Sequence, residues 1–446
     1  MLDLLAAIGV LIVLGTVMAI AKMGSKRLSP EGSRKTIHMV MGCTAFAFPF
    51  VFQYRLSVVF LGIVVVAALL FMRRNEFLRE GVGAALFGIQ RKSLGDIYFV
   101  ISIVIVFVLH ESVYEYLIPI AVLTFADSAA ALIGTSYGRY NLAQHNEEAA
   151  KSTEGSVMFF IAAFICTLIP LQLMTETGRA EVLVISFLIG FLAAMIEAVT
   201  RHGNDNLLLP ILTYSFLRYN IDQSLEHLFT KLGFMLLLLA VIFVVYKITN
   251  LTRLSIAYSL LVGYVIMIQG GMVWVLPALT LFLTFGIMPM MQTEEKNMVQ
   301  SYKAIECNTI VGVICLVLAV FFPVYRDMLY ISFSLSFAIH LAINTYSRFI
   351  NFQNAGVPAS VVFGLAKAAG FIALPALAVT RMHWAVFALY LIFLAIPMPF
   401  AVYLNKKYNY KKVGDETCRL NKTLAGSCVA VFTVILAVLW RLYDIS

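Results

Sequence analysis

Apolar runs of near-spanning length alternate with short polar connections along the whole chain. They cover roughly residues 2–21, 37–52, 56–72, 97–111, 114–135, 155–173, 181–199 and 206–217. A second series covers roughly 232–246, 255–270, 272–291, 307–325, 328–347, 359–380, 382–404 and 423–442. An α-helix needs about 20 apolar residues to cross the hydrocarbon core of a bilayer. The pattern therefore predicts an all-α, polytopic transmembrane helical bundle of about sixteen spans. The run at 206–217 is short and contains Pro210, so it is read as a bent or half-inserted segment whose crossing sets the parity of all later spans. Two domains are expected, 1–231 and 232–446, the second a further multi-span membrane domain of unknown role.

Composition agrees with a membrane setting. Of 446 residues, 61% are hydrophobic and 13% charged, and the mean hydropathy is +0.91. Soluble domains carry about half apolar and about a quarter charged residues. The net charge of +8 is spread over short loops and forms no extended basic tract, which argues against a nucleic-acid partner. Basic residues crowd the connections after the first, third, fifth and seventh runs, so those loops are expected to be cytoplasmic and the N-terminus outside. The first run lacks a basic n-region and a small-residue cleavage site, so it is read as a retained helix. The six cysteines form no CxxC pair, and neither a zinc site nor a disulfide framework is indicated.

On this topology the unusual polar residues share one face. Asp127 sits inside an apolar run, about eight residues and roughly 12 Å from its cytoplasmic end. An ionised carboxylate at that depth needs a cation, and such residues mark functional sites. Small residues surround it, with Gly134 and Gly138 following; they permit close helix approach or backbone access for a phosphate. Arg139, Lys151 and Glu154 bracket a polar loop, in which Ser152 or Thr153 is placed to cap the next helix and Lys151 to meet phosphate oxygens at its N-terminus. Arg34, Lys35 and His38 can share one helical face, the first two as phosphate ligands. Lys92, Ser93 and Gly95 precede the fourth run. Glu197, Asp205 and Asn206 close the set with oxygen ligands of the kind magnesium shares with phosphates.

Four blocks in order, RKTIH (34–38), KSLGDIYF (92–99), ADSAAALIGTSYGRYNL through KSTEGS (126–156) and the stretch from Glu197 to DNLLLP (205–210), resemble the CTP-dependent dolichol and phytol (polyprenol) kinase family of integral membrane lipid kinases. The likeness covers roughly residues 30–217, and its third block is the most specific. It implies transfer of the terminal phosphoryl group of CTP to the hydroxyl of a long isoprenoid alcohol at the cytoplasmic membrane face. Carried onto this chain, the motif positions are Arg34, Lys35, His38, Asp127, Gly134, Gly138, Arg139, Lys151, Glu154, Gly155, Glu197, Asp205 and Asn206. The chain has Ala126-Asp127 where the family has Gly-Asp.

The chemistry expected at these positions is charge neutralisation and positioning. Asp127, Lys151, Glu154 and His38 are the catalytic candidates. Arg34, Lys35, Gly134, Gly138, Arg139, Lys151 and Gly155 are assigned to nucleotide phosphates, and Asp127, Asp205, Glu197 and Asn206 to Mg2+. The residues leave open whether a carboxylate or His38 accepts the alcohol proton. Two other classes suit parts of the pattern: a phosphatidate cytidylyltransferase-like CTP enzyme, and a secondary transporter with an intramembrane aspartate and a broken helix. Expected partners are a lipid alcohol, a nucleoside triphosphate and the bilayer; the pattern does not speak to oligomeric state. Residues 338–351 loosely echo 121–134 with Asn344 in the place of Asp127, a likeness read as coincidence in apolar sequence.

Overall fold

In a computed structural model, the described residues are 2–24, 30–76, 94–139, 151–200, 203–248, 253–284, 302–353, 355–408 and 415–443. Among them the regular structure is helical throughout, as expected where long apolar runs leave the backbone to satisfy its own hydrogen bonds. Among the described residues, ten helices are long and apolar enough to cross a membrane, and three shorter apolar ones accompany them. The chain divides into two compact units, Met1–Leu232 and Gly233–Ser446.

Unit 1 is built from α1 (Leu2–Gly24), α2 (Pro30–Ala45), the single turn α3 (Phe48–Val51), α4 (Arg55–Arg74) and α5 (Gly95–Leu109). The long helix α6 (Val113–Tyr137) follows, then α7 (Thr153–Met174), α8 (Arg179–Val199) and α9 (Asp205–Asn220). Helix α10 (Leu225–Ile248) contains the division between the units.

Side-chain ties fix how the helices of unit 1 run. Asp3, at the start of α1, accepts hydrogen bonds from the backbone of Gln53 and Tyr54, just before α4. Arg55 donates to the His110 carbonyl at 2.8 Å, Tyr116 to that of Ala45 at 3.1 Å and Tyr214 to that of Leu109 at 2.7 Å. Arg218 pairs with Glu111 at 2.8 Å and with buried Glu115 at 3.0 Å. All these contacts gather one end of the bundle; the N-termini of α2, α5, α7 and α9 meet at the other.

Two expectations change here. The run at 37–52 is not one helix: α2 begins at Pro30 and ends at Ala45, and a turn at Phe46 and Ala47 leads into α3. Pro49, lacking an N–H, sits in the first turn of α3 where it costs nothing. The run at 206–217 lies in one continuous helix of 16 residues, Asp205–Asn220, with Pro210 inside it. Helix α9 runs from Asp205 at one end of the bundle to Arg218 at the other.

Helix α6 carries a π-turn at Val122–Ala126, three residues beyond Pro119. Single π-turns of this kind concentrate at functional sites. Asp127 is the first residue after it, ten residues before the helix end at Tyr137, or about 15 Å. Helix α2 presses on this turn at Gly42, where any side chain would collide with Thr124.

Unit 2 contains α11 (Arg253–Gly270), α12 (Met272–Phe282), α13 (Tyr302–Phe321) and α14 (Arg326–Phe352). It ends with α15 (Val357–Thr380), α16 (Trp384–Ala395), α17 (Met398–Tyr408) and α18 (Asp415–Tyr443). Helix α14 is its axis and is buried along nearly its whole length. Gly271, at φ 84°, turns the chain between α11 and α12 in a conformation that glycine adopts without strain. The run at 382–404 is broken between α16 and α17 beside Pro397 and Pro399. The run at 272–291 is helical as far as residue 284, and the rest lies outside the described residues. One reading of the cysteines is corrected: Cys307 is disulfide-bonded, whereas Cys43, Cys166, Cys315 and Cys428 are free.

Candidate functional site

The end of unit 1 where α2, α5, α7 and α9 begin holds two ion clusters. In the first, Lys35 of α2 reaches Asp127 of α6. Its Nζ lies 3.2 Å from Asp127 Oδ1 and donates to the Asp127 carbonyl at 3.1 Å, with both side chains about one-fifth exposed. The π-turn just before Asp127 sets the direction in which this carboxylate projects.

The second cluster centres on Lys151, which precedes α7. Its ammonium lies 3.0 Å from Glu197 Oε1 at the end of α8 and 3.3 Å from Asp205 Oδ2 at the start of α9, and it also donates to the Glu197 carbonyl. Burial alone would lower the Lys151 pKa. The carboxylates of Asp205 and Glu197 outweigh that effect and hold the ammonium above its ordinary range.

The clusters share one electrostatic field. Asp127 interacts with Lys35, His38 and Lys151, and Glu197 with Lys151, Asp127 and Asp205. His38 interacts with Asp127, Arg34, Lys35 and Asp205. Its ring meets Phe99 edge-on at 4.0 Å, and its Nε2 is buried without a hydrogen-bond partner. Residues spread from 34 to 205 thus converge on one end of one bundle.

The remaining predicted residues form the border of this region. Asn206 is buried, and its amide donates to the Gly95 carbonyl at 2.8 Å, tying α9 to the first turn of α5. Ser152 is the N-cap of α7, its Oγ accepting from Gly155 N at 3.1 Å. Glu154 Oε1 accepts from the backbone N–H of Arg139 at 3.1 Å, closing the ends of the 140–150 loop, which lies outside the described residues along with Lys92 and Ser93. The Arg139 side chain is exposed.

Gly134 and Gly155 face each other where α6 crosses α7. A Cβ on Gly155 would stand 3.1 Å from the Ala130 carbonyl oxygen and 3.4 Å from Gly134 Cα. These glycines serve a close helix crossing. Gly138 packs against Ser152 beside it, and its N–H closes the last turn of α6 on Gly134.

Sequence reasoning passed over Asp96, which pairs with Arg73 at 3.2 Å on the same end of the bundle and keeps a second buried oxygen, Oδ2, without a partner. An acidic residue directly at the head of an apolar run was the available signal. The Arg218 triad at the opposite end was also passed over, although Glu115 lies inside an apolar run. In unit 2, residues 338–351 belong to uninterrupted α-helix, without the π-turn that precedes Asp127.

Among the described residues, no three His, Cys, Asp or Glu side chains gather as a metal cage. Magnesium asks for less, one or two carboxylates completed by waters and phosphate oxygens. Glu197 Oε2, buried and without a hydrogen-bond partner beside Asp205, is a donor of that kind. No family model, curated protein or solved structure matches the chain.

Proposed function

We propose that unit 1 is a membrane phosphotransferase that moves the terminal phosphoryl group of CTP to the hydroxyl of a long isoprenoid alcohol of the dolichol, polyprenol or phytol type. The observation that carries the reading is the pairing of Lys35 with Asp127 and of Lys151 with Glu197 and Asp205 at one end of the bundle. Two lysines parked on carboxylates form a site ready for anions, because an arriving triphosphate takes over cations whose charge is already in place.

In this mechanism Lys35 and Lys151 meet phosphate oxygens, Arg34 and Arg139 extend the cationic rim, and the N-terminus of α7 favours the same charge. Asp127, Asp205 and Glu197 would hold Mg2+, which when bound neutralises charge developing on the phosphates. Asn206 holds the heads of α5 and α9 in register. The full reading has about sixteen spans, the site on the cytoplasmic face and the N-terminus outside.

The test is an assay of purified protein in liposomes with labelled nucleoside triphosphates and a panel of lipid alcohols. The expected products are a lipid monophosphate and CDP, with loss of turnover in D127N and K151A. Wild-type rates in both variants would sink the assignment. Pyrophosphate as the product would indicate a cytidylyltransferase, and solute flux without nucleotide a transporter.

A further inference from the structure

Helix α15 of unit 2 carries a charge inside a candidate span. Lys367 is ten residues beyond Val357, the start of a span of 24 residues, or about 15 Å along the axis, which puts its backbone near mid-bilayer. Directly beyond it, at Ala369–Ala373, lies a π-turn, the local feature that also precedes Asp127 in α6. A lysine at such depth is rare and by default a functional position.

The crossing of α14 and α15 fixes where Lys367 stands. Three residues before it, a Cβ on Gly364 would lie 2.6 Å from the Ala342 carbonyl oxygen, and Phe363 stacks on Phe349 of α14 at 5.1 Å. Lys367 follows Phe363 by one helical turn and Arg348 adjoins Phe349, so the two cations flank one crossing. Arg348, four residues from the end of α14 at Phe352, is the outer of the two. The charge that acts on Lys367 is that of Arg348, and among the described residues no carboxylate acts on it. In unit 1 each such lysine has an acid: Lys35 has Asp127, and Lys151 has Glu197 and Asp205. Half-buried Lys367 has a like charge in that place.

We propose that Lys367 and Arg348 form a site in unit 2 for the phosphate of an anionic phospholipid. The inference is independent of the phosphotransferase reading of unit 1. An anion between the two helices attracts both cations and turns their repulsion into a shared interaction. Phosphate suits the pair, because a guanidinium offers paired donors and an ammonium a point charge. A lipid is the source because the crossing is flanked by exposed apolar residues: Val362, Phe363 and Phe371 are exposed on a helix apolar enough to cross a membrane. Acyl chains can lie along them, whereas a soluble anion has no such contact to make. Exposed Lys406 belongs to the same end of unit 2, since its neighbour Asn405 donates to Tyr346 of α14 at 3.4 Å, and it draws anionic lipid to that end without specifying where it binds.

The test uses the full chain with V362W, which sets a fluorophore on the exposed face of α15, in phosphatidylcholine vesicles. Brominated phosphatidylglycerol should quench the added fluorescence at a mole fraction about fivefold lower than brominated phosphatidylcholine does. K367M and K367Q should each remove that preference, while K367R and K406M should keep it. Equal quenching by the two lipids with Lys367 in place would overturn the proposal, whether or not the Lys367 variants fold. A loss in K406M as large as in K367M would reduce the preference to surface charge and overturn the site. Inorganic phosphate, compared with chloride at equal ionic strength, should leave the preference unchanged; its abolition by phosphate would make this a site for the free anion and overturn the lipid assignment.

Discussion

In unit 1 the partly buried polar residues of the candidate site carry charge and gather at one end, whereas α14 of unit 2 is buried along nearly its whole length by apolar side chains, and most of its buried polar groups, His340 aside, are hydroxyls. Ser334, Ser336 and Ser347 each donate to a carbonyl three or four residues back in α14, at 2.8 to 2.9 Å. Such bonds satisfy a buried hydroxyl within its own helix. Lys35 and Asp127, by contrast, are 92 residues apart in sequence, and each needs the other. A helix interior of self-bonded hydroxyls tolerates many neighbours; one of ion pairs fixes which helices meet and in what rotation. Charges placed in an apolar environment are expensive and mark candidate functional positions, and the contrast is why the proposed chemistry is looked for in unit 1.

Substitution at matching depth breaks that contrast most directly. D127N and K35A should each lower phosphoryl transfer at least about 100-fold, and removing one partner of this part-buried pair should destabilise unit 1 by about 2–4 kcal/mol. N344A on α14 should leave kcat/KM within about twofold, since Asn344 lies outside unit 1 and its buried amide nitrogen has no hydrogen bond to lose. Comparable losses from N344A would mean that both units carry the chemistry.

The next effect concerns stability alone. R218A strips the partner from buried Glu115 and, discounted for the partial exposure of Arg218, should cost about 1–3 kcal/mol. KM for CTP should hold, because the triad lies at the opposite end from the site. A raised KM with unchanged melting would show the two ends of unit 1 to be coupled.

In unit 2, G364A places a Cβ 2.6 Å from the Ala342 carbonyl oxygen, backbone that cannot step aside. It should lower thermal stability by about 1–3 kcal/mol, measured by a dye-based melt in detergent, without changing turnover at permissive temperature.

The smallest effect is a pH limb. With its pKa raised, Lys151 stabilises the fold fully below the unfolded lysine pKa of about 10.4, and the contribution fades as pH rises through the higher folded value. The difference in melting temperature between wild type and K151M should therefore be flat from neutral pH to about pH 10 and shrink above it. A difference that shrinks between pH 7 and 9 would contradict the Asp205 and Glu197 pairing.

Much of this was readable from residue order. A carboxylate such as Asp127 in an apolar run is costly enough to announce itself, and the helical spacing of Arg34, Lys35 and His38 placed them together on α2. What residue order did not contain was the choice of partner. Lys35 takes Asp127, and Lys151 takes Glu197 with Asp205, because helix rotation and crossing decide which cation meets which acid. The same holds for Arg218 with Glu111 and Glu115. The break at Phe46 and the π-turn at Val122–Ala126 escaped for a related reason: both are deviations of a turn or less inside continuous apolar sequence, where hydrophobic periodicity carries no mark.

That π-turn divides α6 into two segments whose angular phases are set separately. Before it, Glu115 and Tyr116 are aligned to Arg218 and to the Ala45 carbonyl; after it, Asp127 is aligned to Lys35. Rewinding the turn as α-helix with no residue removed would swing everything beyond it by up to about 100°. A single helix can thus serve as structural anchor at one end and reactive element at the other, with each end free to be tuned by substitution while the other keeps its bearing.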